Sequence, residues 1–279
     1  MKYKKIYVEI TNSCNFDCSF CYKSKRPKRA LTVDEFRFIA EKVKPFTNYL
    51  YLHVMGEPLL HPHFDEIMQI ANELDFQVNI TTNGSLIPKQ QSVLEKYPPR
   101  QINISLHDLE ENIPAKDLPE FITTIISFAD KIAETTYINF RLWNRMDDKM
   151  SDFTKLCIRQ IAKQLEIDEV ELCEEKFLEG IHLRKHIYLH SAARFDWPYL
   201  DATPSDKPKT CYALKDHIAV LSDGSVVPCC IDADAHLLLG NIFTDDLNVI
   251  LTSEKAIRMK DGFRNKVAVE DFCRKCGFR

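Results

Sequence analysis

Residues 14–22 read Cys14-Asn15-Phe16-Asp17-Cys18-Ser19-Phe20-Cys21-Tyr22, three cysteines spaced four and then three apart. Three thiolates can hold three irons of a four-iron four-sulfur cluster, whose corners each take one ligand, which leaves the fourth iron open. The same residues would also suit a zinc knuckle lacking its histidine, or three buried thiols acting as small hydrophobes. What flanks the motif bears on the choice.

A chain of 279 residues, 45% hydrophobic, buries a sizeable core as one large domain, or one plus a small appendage. Its 37 basic and 41 acidic residues are mixed along the chain and leave a net charge of −4. No extended basic face advertises nucleic acid, so a small molecule or a peptide is the expected partner. The start, Met1-Lys2-Tyr3-Lys4-Lys5-Ile6, lacks the apolar run of a signal peptide, and no stretch of about 18 apolar residues follows that could span a bilayer. A cytoplasmic protein with no membrane partner is expected. In a reducing compartment its ten cysteines point to metal ligands before disulfides. Seven fall into two groups, Cys14, Cys18 and Cys21, then Cys211, Cys229, Cys273 and Cys276. Cys157, Cys173 and Cys230 are left over.

Strand-like and helix-like patterns alternate through the first 185 residues. Strands are expected at Tyr7 to Thr11, Tyr49 to Met55, Phe76 to Thr82, Gln101 to Leu106, Thr136 to Trp143 and Glu169 to Cys173. Helices are expected at Val33 to Lys44, opened by a Thr32-x-x-Glu35 capping box, and near Phe64 to Leu74, Pro88 to Lys96, Leu118 to Ala133 and Asp152 to Leu165. Cys157 falls on the apolar stripe of the last helix and reads as core. Six strand and helix repeats imply a parallel sheet with right-handed crossovers. One face of each strand is apolar, as in Ile102 and Ile104, or Ile138, Phe140 and Leu142. The other is polar: Tyr7, Glu9 and Thr11; Tyr51, His53 and Met55; Gln77, Asn79 and Thr81; Asn103, Ser105 and His107; Asn139, Arg141 and Trp143; Glu171 and Cys173. A fully covered parallel sheet is apolar on both faces, so the polar face predicts an incompletely closed (β/α)6 barrel whose lumen admits ligand and water. An antiparallel sheet with one wet face is the alternative, and the intervening helices weigh against it.

The CxxxCxxC spacing with an aromatic residue before its last cysteine resembles the radical S-adenosylmethionine (SAM) superfamily. That resemblance implies a partial (β/α)6 barrel in which the open iron chelates SAM. The cluster's electron splits SAM into methionine and a 5′-deoxyadenosyl radical, which takes a hydrogen atom from substrate. Met55-Gly56-Glu57-Pro58 resembles the family's GGEP segment with methionine for the first glycine, and Thr82-Asn83-Gly84 its TNG turn. By resemblance, Tyr22, Gly56, Glu57, Asn83, Ser105 and Arg141 are the cofactor-binding candidates, with Arg141 suited to a carboxylate by its planar fork. Glu9 and Cys173 are catalytic candidates. His53, His61, His63 and His107 are read as non-ligands, since His61-Pro62-His63 begins a helix.

Residues 186–210 read as a linker or irregular loop, rich in proline beyond Trp197. From 211 a strand at His217 to Leu221, a turn at Asp223-Gly224, a second strand, a helix near Leu247 to Met259 and a terminal Cys273-x-x-Cys276 follow. This stretch resembles the SPASM or Twitch extension of radical SAM enzymes. Its cysteine supply fits one auxiliary cluster on Cys211, Cys229, Cys273 and Cys276, with Cys230 the rival of Cys229 and a four-cysteine zinc site the alternative. Two [4Fe-4S] clusters and SAM are therefore the expected cofactors, and flavodoxin or ferredoxin the expected electron donor.

The expected activity is hydrogen abstraction from a small polar metabolite, with queuine lyase as the specific guess. Trp143 and Trp197 would stack on its planar base, and Glu9, Glu171 or Asp196 would receive its amine or diol. Dehydrogenation of an aminosugar alcohol suits the same residues. A peptide-modifying maturase is the next alternative, disfavoured because Cys14 leaves little room for a leader-recognition domain. A zinc-stabilised binding module is the non-enzymatic one.

Overall fold

The computed structural model describes residues 2–145, 150–169, 172, 180–193, 197–198, 202–205 and 210–277. They fall into two compact units, one of Met1–Ser13, Tyr22–Val78 and Phe195–Arg279, the other of Cys14–Cys21 and Asn79–Arg194. None of the described helices is long and apolar enough to cross a membrane.

In the first unit β1 (Lys5–Val8) pairs in parallel with β2 (Tyr49–Tyr51), Ile6 lying opposite Leu50. Helix α1 (Val33–Val43) opens with the expected capping box, Thr32 accepting from the Glu35 N–H and Glu35 reaching back to the Thr32 N–H. Its apolar stripe, Phe36, Ile39, Ala40 and Val43, is buried, and it packs on α2 (Phe64–Glu73). The carboxyl-terminal segment adds β8 (His217–Val220), β9 (Ser225–Val227) and β10 (Gly240–Asn241). The hairpin expected at Asp223-Gly224 is present, with Ala219 opposite Val227 and Gly224 at φ +84°. Not foreseen is that β8 pairs in parallel along all four residues of β1. Ile218, Ala219 and Val220 are fully buried, as suits a strand covered on both faces. This pairing covers an edge of β1 that would otherwise present unpaired backbone groups. The single helix expected near Leu247 to Met259 is two, α7 (Leu247–Leu251) and α8 (Glu254–Arg264), because Ser253 caps a new start. A last short helix, α9 (Asp271–Lys275), carries Cys273.

In the second unit the order is β3 (Gln77–Thr82), β4 (Gln101–Ser105), β5 (Tyr137–Arg145), β7 (Ile187–Ala193), β6 (Ile181–Arg184). All but β6 run parallel. Helices α3 (Ile87–Lys96), α4 (Leu109–Asn112), α5 (Leu118–Ile132) and α6 (Asp152–Leu165) lie between the strands in sequence, with α5 packed on both α3 and α6. The expected apolar face is the buried one: Ile102, Ile104, Ile138, Phe140 and Leu142 are at most 1% exposed. Cys157 is core, fully buried on α6.

The sixth strand was expected in the wrong place. Beside β5 lies Ile187–Ala193, inside the range read as a linker, whereas Glu169 and Leu172 are helical. Glu171 and Cys173 lie outside the described residues. The physical reason is pairing. Seven alternating residues at 187–193 bury Ile187, Leu189 and Ser191 and pair with six positions of β5.

The polar face is present and is cross-linked by side chains. Thr81, Asn103, Asn139 and Tyr188 are opposite one another in register, and so are Ser105, Arg141 and His190. Asn139 Nδ2 donates to Asn103 Oδ1 at 3.3 Å, and Asn103 Nδ2 to Thr81 Oγ1 at 3.3 Å. Such ladders satisfy polar groups that the unit buries.

Candidate active site

The Cys14–Cys21 loop is held by side chains of its own unit. Asn15 Nδ2 donates to Ser85 Oγ at 2.8 Å, the Asp17 N–H to Asn112 Oδ1 at 2.9 Å, and the Ser19 N–H and Oγ–H to the Glu111 carboxylate at 2.6 and 2.7 Å. The sulfurs themselves receive donors. The Phe16 N–H points to Cys14 Sγ at 3.4 Å, Asn83 Nδ2 to the same sulfur at 3.8 Å, and Asn112 Nδ2 to Cys18 Sγ at 3.2 Å. Burial pushes the Cys18 thiol up to about 12; Asp108 adds to the rise, Asn112 opposes it, and Cys21 and Cys14 contribute as neighbours. Cys14 and Cys21 are near enough to act on the Cys18 thiol, and N–H groups are aimed at two of the three sulfurs, which fits a thiolate-ligated iron–sulfur cluster, whose sulfurs accept such bonds. Asn83, expected at the cofactor, thus serves the cysteine loop, and its Oδ1 accepts from the Ser85 N–H and Oγ–H.

In the other unit Gly56 lies at φ +79°. A β-carbon there would meet Thr11 O at 2.6 Å and Ser13 O at 2.7 Å, and the Glu57 N–H donates to Ser13 O at 2.8 Å. The Met55-Gly56-Glu57 segment is therefore seated on the backbone just before Cys14, a close approach that only glycine permits. The Glu57 carboxylate is buried and accepts from the Leu59 N–H at 3.0 Å.

Glu9, a catalytic candidate in the sequence, lies in a hydrogen-bonded network. It is fully buried and held by both oxygens to Arg26 Nη2, at 2.7 and 2.6 Å. It also accepts from the Ser222 N–H and Oγ–H and from the Met55 N–H. A carboxylate so engaged ties these elements together.

A cavity of about 410 Å³ opens on the polar face of the second unit, lined by residues that include Gln101, Tyr137, Asn139, Arg141, Trp143, Tyr188 and His190. The Arg141 guanidinium lies 4.5 Å over the Trp143 ring, and the Trp143 indole N–H donates to His190 Nδ1 at 2.8 Å. Burial lowers the His190 pKa, with Arg141 adding to it, so the ring stays a neutral acceptor. Trp143 stacks on His107 with centroids 6.5 Å apart, and His107 lies 5.5 Å from Phe20 of the cysteine loop. Ring contacts thus run from the cysteine motif to the cavity. Ser105 ends β4 and is 8% exposed. Tyr188 and His190 were missed in the sequence because their strand was read as a linker; the Ile187-Tyr-Leu-His-Ser191 alternation was the available signal. His61 Nε2 is engaged by Leu31 O at 2.8 Å.

The carboxyl-terminal cysteines also form a group. Burial raises the Cys229 thiol well above its ordinary value, with Cys230, Cys273 and Cys211 adding to the rise. Burial likewise pushes Cys273 up to about 12, helped by Cys211 and Cys276. Cys230 is raised by burial and lowered by a hydrogen bond with Tyr7, and it packs on the cluster of Tyr7, Ala219, Leu221 and Val227. Among the described residues no three Cys, His, Asp or Glu side chains are gathered to hold a single metal ion. The all-sulfur donor set is the one that iron–sulfur clusters take.

Residues 8–135 match the radical SAM superfamily and residues 211–277 match SPASM, an iron-sulfur cluster-binding domain. A probable GTP 3′,8-cyclase of Aeropyrum pernix is 28% identical over 123 residues, 40% of this chain and 34% of that protein, so this chain spans about a third of its length. A GTP 3′,8-cyclase of Sulfurovum sp. is 23% identical over 260 residues, 80% of this chain and 78% of that protein. In fold the chain is similar to BtrN, solved in complex with AdoMet and 2-DOIA, at a TM-score of 0.61 and 17% identity over 100% of this chain and 95% of that one. It is also similar to Streptococcus suis SuiB bound to precursor peptide SuiA, at a TM-score of 0.62 and 15% identity over 99% and 70%. A radical SAM domain binds a [4Fe-4S] cluster and SAM, and a SPASM domain binds additional iron–sulfur clusters. With its cysteine loop, its parallel α/β fold and its second cysteine group, the chain joins a radical SAM superfamily domain to a carboxyl-terminal SPASM iron–sulfur cluster-binding domain.

Proposed function

We propose that this enzyme abstracts a hydrogen atom from a small, planar, anionic substrate seated in the cavity of Arg141, Trp143 and His190. Cys14, Cys18 and Cys21 would hold a cluster that, when bound, would supply the electron for reductive cleavage of SAM to methionine and a 5′-deoxyadenosyl radical. Asn83 and Asn112 donate to the sulfurs that would hold it. Cys211, Cys229, Cys273 and Cys276 are the proposed auxiliary ligands, with Cys229 preferred because Cys230 is turned to Tyr7. Flavodoxin or ferredoxin in the cytoplasm is the electron donor in this reading.

The observation that carries the substrate class is the cavity lining: one guanidinium, three aromatic side chains and a neutral histidine, with no carboxylate among the described lining residues. Arginine pairs with carboxylate or phosphate through its planar fork, and the rings offer stacking faces. About 410 Å³ suits a small ligand. An aminosugar or the amine of queuine would call for an acid. Glu9 is spent on Arg26, and Glu171 and Asp196 lie outside the described residues, so the queuine lyase reading keeps support only from stacking on Trp143.

Reduced, reconstituted enzyme with SAM is expected to release 5′-deoxyadenosine faster when given planar heteroaromatic carboxylates or nucleotides. Arg141→Gln should weaken their binding at least about tenfold, the factor that 1.4 kcal/mol represents. Stimulation by queuine or an aminocyclitol, with no response to planar anions, would reject the proposal.

A further inference from the structure

Within five residues of the end of the CxxxCxxC motif, the chain is fastened to one turn of the SPASM segment. The Asp234 carboxylate takes three donors, the Tyr22 O–H at 2.8 Å, the Ser24 Oγ–H at 2.5 Å and the Lys25 N–H at 3.1 Å. Next to it Arg26 Nε donates to Ala233 O at 2.6 Å, and Arg26 is the partner of buried Glu9, which in turn accepts from Ser222. Trp197 packs 5.4 Å from the Tyr22 ring. Burial opposes the charge on Asp234, but the bonds from Ser24, Tyr22 and Lys25 outweigh it and hold the carboxyl below its ordinary range.

The turn that presents Asp234 begins at Cys229 and Cys230. It is closed from within: the Asp232 N–H donates to Cys229 O at 3.3 Å, and the Asp232 carboxylate accepts from the N–H groups of His236 and Leu237, both at 2.8 Å. One end of this turn therefore carries candidate auxiliary ligands, and five residues on it grips the segment leaving Cys21.

We propose that Asp234 is a positioning residue that couples the auxiliary cysteine site to the chain leaving the radical SAM motif, so that order in the Cys229–Asp234 turn is passed to Tyr22–Arg26. The physical basis is that charge-assisted bonds are stronger than neutral ones, and a carboxylate that collects three of them from within four residues, two from side chains and one from backbone, fixes that short stretch of chain. The auxiliary site then has a mechanical part in the chemistry at the first one, separate from any part in electron transfer. This rests on the assignment of Cys229, Cys273 and Cys276 to the auxiliary site only for the coupling; the grip itself stands on the hydrogen bonds.

Amide hydrogen exchange over Tyr22–Arg26 in the full, reconstituted chain tests both parts. Asp234→Ala should raise exchange there at least about tenfold, as loss of 1.4 kcal/mol of local protection implies. Asp234→Asn, which keeps one acceptor oxygen, should fall between it and the unaltered protein. Cys273→Ser/Cys276→Ser should raise the same exchange when Asp234 is present and add nothing once Asp234→Ala is made. Positioning also predicts that the SAM-induced change in the electron paramagnetic resonance spectrum of the reduced cluster is weakened in Asp234→Asn, an effect that a uniform loss of stability does not produce. Unchanged exchange in both Asp234 variants would overturn the grip. Additive effects of the cysteine and Asp234 changes would overturn the coupling. If Asp234→Ala does not fold, the Asp234→Asn and Ser24→Ala variants decide, since each removes only part of the set. A chain that binds no iron at the auxiliary site would defeat the family-based ligand assignment, yet it would still show or fail to show the Asp234 effect.

Discussion

Replacing Gly56 by alanine puts the close seating of the Met55-Gly56-Glu57 segment to a quantitative test. The new β-carbon would stand 2.6 Å from Thr11 O, 2.7 Å from Ser13 O and 2.8 Å from Asn12 C, all backbone atoms, on a residue at φ +79°. A left-handed backbone costs a residue with a β-carbon about 1–2 kcal/mol, and forcing extra volume into a packed site costs typically 1–3 kcal/mol. Gly84→Ala is the control that separates the two. It has nearly the same φ, +80°, but its β-carbon would meet side chains, Ile125 Cδ1 at 2.9 Å and Ile104 Cγ2 at 3.2 Å, and a terminal methyl can turn aside. The dihedral cost then cancels in the comparison, and Gly56→Ala should be the less stable variant by about 1–3 kcal/mol. At roughly 2 °C per kcal/mol for a chain of this size, anaerobic thermal melts should place it about 2–6 °C below Gly84→Ala. Displacement of Ser13 should also disturb the start of the cysteine loop, so Gly56→Ala should hold less iron at the first site. Equal melting temperatures, with iron content unaltered, would refute the claim that this glycine is required by a backbone contact.

Acid should expose a second element. Burial, with the Lys5 charge adding and Asp216 opposing, pushes the His217 ring down to about 4. Its folded pKa lies below the unfolded one, so the unfolded state binds the proton first. The stability it contributes is present above the unfolded pKa near 6.5 and is lost as pH falls towards 4, up to about 3 kcal/mol. Urea melts at stepped pH should show this limb, and His217→Gln should flatten it. At the cysteine loop, Asn112→Asp replaces the N–H donor to Cys18 Sγ by an acceptor. Losing one such bond, worth about 1 kcal/mol, should make the first cluster harder to reduce by roughly 40 mV for one electron, which a potentiometric titration followed by electron paramagnetic resonance would read. A midpoint that stays put or rises would contradict the proposed donor role.

Local pattern alone determined a good deal of this protein. The Cys14–Cys21 spacing, the Thr32–Glu35 capping box, the strand alternation from Gln77 to Trp143 and the Asp223-Gly224 hairpin are short-range features, fixed by side-chain period, cap chemistry and turn conformation. Each was legible without coordinates. What they did not contain was pairing over long separations. That β8 would lie on β1, more than two hundred residues earlier, or that Ile187–Ala193 would take the place beside β5, depends on which strand best covers an open edge. Propensity does not encode that competition. For the same reason Tyr188 and His190 entered the cavity unannounced, and Glu9, a plausible acid on a polar face, proved to be bound to Arg26 and Ser222. A carboxylate's role is set by the donors that the fold brings to it, and here those donors come from 17 and 213 residues away. The sequence could name the cysteines; only the tertiary structure could aim hydrogen bonds at their sulfurs.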